Sequence, residues 1–193
     1  MYQKRNKELE VVGLFSGNYD LQLYLREISK LAKLPVKTTQ NVLNILVKAK
    51  ILKSEQRGKN KYFSLNKQNI QTKFRLLQAE IQKTAMFLEK HPQFNTFLKD
   101  ITMHNPIILF GSFAKFTADK NSDVDILTIS EKELQLPTHL LPNKLHAINI
   151  SENNFMDSLK KREALIKEIE ENHVILNNHS FFVNTMWDYY GTK

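Results

Sequence analysis

The sequence predicts an α+β chain whose two halves differ in kind and are joined by helices. Three observations carry that expectation. Apolar residues recur at helical spacing through the first half and the connector. Two short runs, "ILKSEQ" and "KYFSL", flank a polar turn at Gly58, and the second half holds strand-like apolar runs in "PIILF" and "NSDVDILTIS".

Composition bounds the rest. The chain has 193 residues, 41% of them hydrophobic and 25% charged, which is ordinary for a soluble globular protein. It contains no cysteine, so disulfides, thiolate metal sites and cysteine nucleophiles are excluded, and a reducing compartment suits it. No apolar run reaches the roughly 20 residues that cross a bilayer, and "MYQKRNKELE" lacks the apolar stretch of a signal peptide, so the expected location is cytoplasmic. The net charge of +8 is unevenly spread. Residues 1–90 hold 18 Lys and Arg against 7 Asp and Glu, whereas residues 91–193 hold 10 against 13. A polyanion is the expected partner of the first half.

In the basic half, Leu25, Ile28, Leu31 and Ala32 fall at helical spacing and "KLP" ends that helix. Thr38 or Thr39 helps to start a second helix with Val42, Leu43, Leu46 and Val47 on one face. A strand, a turn at "RGKN" and a second strand follow. Helix, turn, helix and a two-stranded wing, over about residues 8–66, resemble the winged helix-turn-helix of transcription regulators. That resemblance implies double-stranded DNA as partner, with the second helix in the major groove and the wing on the backbone. Lys37, Thr38, Thr39, Gln40 and Asn44, on or beside the solvent face of the second helix, and Arg57, Lys59 and Lys61 in the wing are the nucleic-acid candidates. Lysine and arginine neutralise phosphates, and Gln and Asn read adenine edges. Winged helices also serve as dimerisation or protein-docking modules.

From Ile70, the residues Phe74, Leu77, Ile81, Ala85 and Leu88 form the stripe of an amphipathic helix that "HP" stops near Lys90, and Phe94, Phe97, Leu98 and Ile101 mark a shorter one. The stripe suits either intramolecular packing or a homodimer seam.

"PIILFGS" is a buried-strand pattern ending in Gly-Ser, with a helix start in "SFAKF". Gly111 permits a tight turn, and Ser112 with nearby backbone N–H groups can hold a phosphate. Ten residues after this Gly-Ser, Asp123 and Asp125 stand two apart in a strand pattern and share a face. Paired carboxylates are costly neighbours unless a cation joins them, and magnesium takes one or two carboxylates plus substrate phosphates.

Gly-Ser, ten residues and Asp-x-Asp resemble the signature of the polymerase-beta-like nucleotidyltransferases, particularly the minimal ones, over about residues 94–151. The resemblance implies a small mixed sheet with flanking helices. It implies that Gly111, Ser112 and Lys115 bind a nucleoside triphosphate such as ATP, and that Asp123 and Asp125 are the catalytic, metal-holding residues for Mg2+. Phe116 stands where the family carries a second glycine. The next strand candidate, "KLHAINIS", holds His146 and Asn149 and lacks the third carboxylate that active members carry there.

Downstream, Phe155, Leu159, Leu165, Ile166, Ile169 and Val174 read as one helical face. The aromatic tail with Phe181, Phe182, Trp187, Tyr189 and Tyr190 is expected to bury against the sheet. The expected organisation is therefore a winged helix-turn-helix at 1–67, a helical connector at 68–104 and a minimal nucleotidyltransferase domain at 105–193. The expected function is DNA-bound, Mg-dependent transfer of a nucleoside monophosphate to a protein or small-molecule acceptor. Two alternatives share the features: a transcription regulator whose nucleotidyltransferase-like domain senses nucleotide without catalysis, and the antitoxin of a toxin-antitoxin pair.

Overall fold

Helix α1 (Lys7–Gly13) begins at Asn6, whose side-chain oxygen accepts from the backbone N–H groups of Glu8 and Leu9 at 3.1 and 3.3 Å. The structure, a computed structural model, describes residues 6–191. Expectations placed on residues 1–5 and 192–193, including part of the stretch read as lacking a signal peptide, lie outside the described residues. The chain divides into two compact units, one of residues up to Glu80 together with those from Met186 on, the other Ile81–Thr185. These boundaries differ from the breaks at 67 and 104 drawn from sequence.

In the first unit, β1 (Leu23–Tyr24) leads directly into α2 (Leu25–Leu31), and α3 (Val36–Lys48) follows a short turn. The turn is set by Lys33 at φ 51° and closed by the Ser29 hydroxyl, which donates to Leu34 O at 2.7 Å. Helix α3 starts earlier than the threonines promised: Pro35 is its N-cap, since a fixed φ and a missing N–H cost nothing there. The hairpin of β2 (Leu52–Arg57) and β3 (Asn60–Leu65) pairs Arg57 with Asn60 across Gly58 and Lys59, and Gly58 adopts φ 58°. β1 adds a third strand that sequence patterning missed, giving the order β1-β3-β2, all antiparallel. Val11, Val12, Phe15, Ile28, Leu43 and Leu46 are essentially inaccessible to solvent, whereas Leu31, assigned to the buried face of its helix, is 54% exposed.

Helix α4 (Ile70–Lys90) has the length expected, and α5 (Gln93–Lys99) follows as predicted. The buried face of α4 is not the predicted stripe. Ile70, Phe74 and Ile81 are 57%, 57% and 50% exposed, while Thr72, Leu76, Ala79, Glu80, Thr84 and Phe87 are buried. Thr72 and Thr84 can turn inward because their hydroxyls donate to Ile51 O and Ile175 O respectively.

The second unit is built on β4 (Ile107–Phe110), β5 (Val124–Ile129), β6 (Leu145–Ile150) and β7 (Val174–Asn177), in the order β6-β5-β4-β7. β5 and β6 are parallel and the other pairs antiparallel, so the sheet is mixed. Ile107, Leu109, Val124, Ile126, Val174 and Leu176 form one cluster with Phe87, Phe94 and Phe97. The alternate positions Ile108, Leu127, Ile129 and Ile175 are equally buried, the pattern of a sheet covered on both faces.

The run read as a single helix downstream of β6 is three elements. α7 (Glu152–Lys161) ends at Arg162 in the left-handed region, φ 53°, and α8 (Ala164–Glu171) restarts behind Glu163. Val174 then belongs to β7, where a short apolar run pairs with β4. The tail forms α9 (His179–Gly191), in which Tyr190 is buried by stacking on Tyr19 of the first unit, not by the sheet. Among the described residues no helix is long and apolar enough to cross a membrane.

Candidate functional site

The antiparallel register of β4 and β5 sets Phe110 opposite Asp125, so the end of one strand lies beside the start of the other. Gly111 comes next in the chain, buried and at φ 67°. A Cβ at this position would overlap the Asp125 carboxylate, which occupies the space glycine leaves free. The sequence motif is thus one physical unit, in which Gly111 must be glycine both for its backbone angle and for the acid beside it.

Gly-Ser itself opens a short α6 (Gly111–Ala114), and a pinned loop carries the chain from there to the aspartates. Phe116, standing at the missing glycine, adopts φ 58°, so here a side chain takes the left-handed conformation at a cost of about 1–2 kcal/mol. Contacts with Phe87 and His91 and the Lys90 ammonium, 5.0 Å from the ring centre, offset it. Asp119 accepts from Asn121 N at 2.8 Å, and Asn143 donates to Ser122 O at 2.9 Å, fixing the approach to Asp123.

Asp123 lies exposed just before β5. Asp125 lies within the strand, its side chain 27% exposed, while Val124 and Ile126 enter the core. Ser112 is half-buried, and among the described residues its hydroxyl has no hydrogen-bond partner. Lys115, assigned to nucleotide binding, reaches Glu168 of α8 at 3.0 Å.

The parallel register of β5 and β6 pairs Asp125 with His146, and His146 Nδ1 lies 3.3 Å from Asp125 Oδ1. Asn149 is committed elsewhere, accepting from Thr128 at 2.7 Å and donating to Ser130 O at 3.1 Å. β6 carries no carboxylate, as the sequence indicated, and among the described residues no group of three or more His, Cys, Asp and Glu is arranged to hold a metal. Two carboxylates, one of them lodged in the space a Cβ would fill at Gly111, still fit a magnesium ion that takes its remaining ligands from phosphate and water.

The nucleic-acid candidates separate. Lys37 and Asn44 are exposed and Thr38 and Gln40 half-buried on α3, with Gln40 donating to Asn44 at 3.1 Å. Thr39 is fully buried, its hydroxyl turned back to Pro35 O at 3.1 Å, so it does not lie at the solvent face where periodicity put it. Lys59 and Lys61 are exposed. Arg57 is exposed but committed, donating to Glu55 at 2.6 Å and to Gln22 at 2.7 Å. The guanidinium holds the Glu55 carboxyl below the usual carboxylate range, and Glu55 in turn raises Arg57. Arg26 was missed: it lies in the first turn of α2 and joins Lys59 and Lys61 around one concavity, a neighbourhood created by a tertiary contact with no local sequence signal.

Residues 91–181 match the family model described as the nucleotidyltransferase domain. Comparison with curated proteins and with solved structures returned no match.

Proposed function

We propose, from the nucleotidyltransferase domain matched at residues 91–181, that the chain is a nucleic-acid-bound nucleotidyltransferase. It transfers a nucleoside monophosphate from a nucleoside triphosphate such as ATP to a hydroxyl of a protein or small molecule. The acceptor oxygen forms a bond to the α-phosphorus, the bond to the β-phosphate oxygen breaks, pyrophosphate leaves, and the acceptor proton passes to solvent. The observation that carries this reading is the packing of Asp125 against Gly111, which sets the Gly-Ser turn and a carboxylate side by side.

In this reading the free Ser112 hydroxyl donates to a phosphate oxygen of the substrate, and Asp123 and Asp125 hold the magnesium ion. That ion, when bound, neutralises charge on the phosphates and orients them for in-line displacement. His146 acts as a positioning residue that fixes the rotamer of Asp125 from the neighbouring strand. The order of α2, α3 and the β2–β3 hairpin, with Lys37, Asn44, Lys59 and Lys61 exposed, supports a winged-helix module bound to double-stranded DNA.

Incubating the protein with labelled nucleoside triphosphates and magnesium, beside an Asp123→Asn/Asp125→Asn variant, tests the reading. Label transfer and pyrophosphate release are expected in the wild type and absent in the variant. One observation favours a second reading. β6 presents His146 at the register position beside Asp125 and carries no third carboxylate, which suits a regulator that binds nucleotide and does not transfer it. Nucleotide binding without turnover by the wild type selects that reading.

A further inference from the structure

In the first unit, a cavity of about 470 Å³ opens between the start of α2, the side of α3 and the hairpin. Its lining includes Arg26, Gln40, Lys59 and Lys61 but no carboxylate. The three cations come from three different places in the chain: the first turn of α2, the hairpin turn and β3. Among the described residues none of the three has an ion-pair partner, in contrast to Arg57 on the same hairpin. Lys61 is further held by the Phe63 ring, its ammonium 5.8 Å from the ring centre.

Three unpaired cations around a concave surface repel one another unless an anion sits among them. A guanidinium beside two ammonium groups suits a phosphate, which Arg meets through paired N–H donors and Lys as a point charge. We propose that this cavity seats a backbone phosphate of double-stranded DNA, with Arg26, Lys59 and Lys61 as its cationic wall and Gln40 as a neutral hydrogen-bonding partner. The proposal rests on the nucleic-acid reading of the first unit and reassigns the hairpin's contact from Arg57 to the cavity.

The test is fluorescence anisotropy of a labelled duplex titrated with the full chain across a salt series. The variants are Arg26→Ala, Arg26→Lys and Arg57→Ala, with circular dichroism confirming that each is folded. Removing one phosphate contact flattens the slope of log affinity against log salt by about 0.9. Arg26→Ala is expected to show that flattening with a several-fold loss of affinity, Arg26→Lys to restore the slope, and Arg57→Ala to leave it unchanged. Wild-type binding with a slope that Arg26→Ala does not alter overturns the cavity assignment and leaves the nucleic-acid reading standing. Failure of the wild type to bind any duplex overturns both. If ATP binding, measured in parallel, is then lost on Arg26→Ala, the phosphate belongs to a free nucleotide.

Discussion

At the scale of single residues, Gly111 and His91 carry the sharpest expectations. Gly111→Ala adds a methyl group at φ 67° into space held by the Asp125 carboxylate, so the acid must leave its place or the turn must open. The left-handed angle alone costs about 1–2 kcal/mol for a residue with a Cβ. Thermal melts should show at least that loss, and nucleotide transfer should fall as far as it does on removal of Asp125 itself. His91 lies among the rings of Phe87, Phe94, Phe113 and Phe116, with Nε2 buried and, among the described residues, without a hydrogen-bond partner. Burial, helped by the neighbouring Lys90 charge, lowers its pKa below the ordinary 6.5. Above that value the folded and unfolded chains both carry a neutral ring, and no stability depends on it. Below it the unfolded chain takes up a proton that the folded one refuses, so stability falls as pH drops from 6.5 through the folded value. His91→Phe should flatten this part of the acid decline, read as a smaller difference between melts at neutral and mildly acidic pH.

At the scale of elements, local punctuation made some features legible and tertiary contacts hid others. The turn at Gly58, the stop at His91-Pro92 and the alternation of Val124 and Ile126 around Asp125 all express backbone rules that act within a few residues. β7 was invisible because Val174 was read as the last residue of a helical face, and only pairing with β4 makes it and its neighbours extended. α4 misled for a related reason. Its large apolar residues make a clean stripe, yet the buried face uses two threonines whose hydroxyls find main-chain carbonyls, a solution that periodicity of apolar residues does not register. In the candidate site, the glycine and both aspartates stand close together in the chain and announce themselves. The approach of His146 to Asp125 depends on the parallel register of β5 and β6, and the pairing of Lys115 with Glu168 depends on where α8 packs. Neither is written in local spacing.

At the scale of the whole molecule, the basic and acidic halves follow the sequence, but the units do not follow the chain in order. The first unit is completed by residues from Met186 on, where Tyr190 stacks on Tyr19 at 5.4 Å and its carbonyl accepts from Lys67 at 2.7 Å. Tyr190→Ala should therefore destabilise the unit that holds α3 and the hairpin, by about 3–5 kcal/mol as for other buried aromatic truncations. Hydrogen exchange of α3 amides, compared between the variant and the wild type, reads this directly.

The return of the chain to its first unit has a consequence for synthesis on the ribosome. Translation proceeds at roughly 5–20 residues per second, so the segment Ile81–Thr185 holds Tyr190 back for roughly 5 to 20 s after Glu80 is made. Throughout that interval the nascent basic unit lacks the ring that closes over Tyr19. The basic unit, begun before Ile81–Thr185, is thus completed after it, and its last packing waits until Tyr190 has left the ribosome.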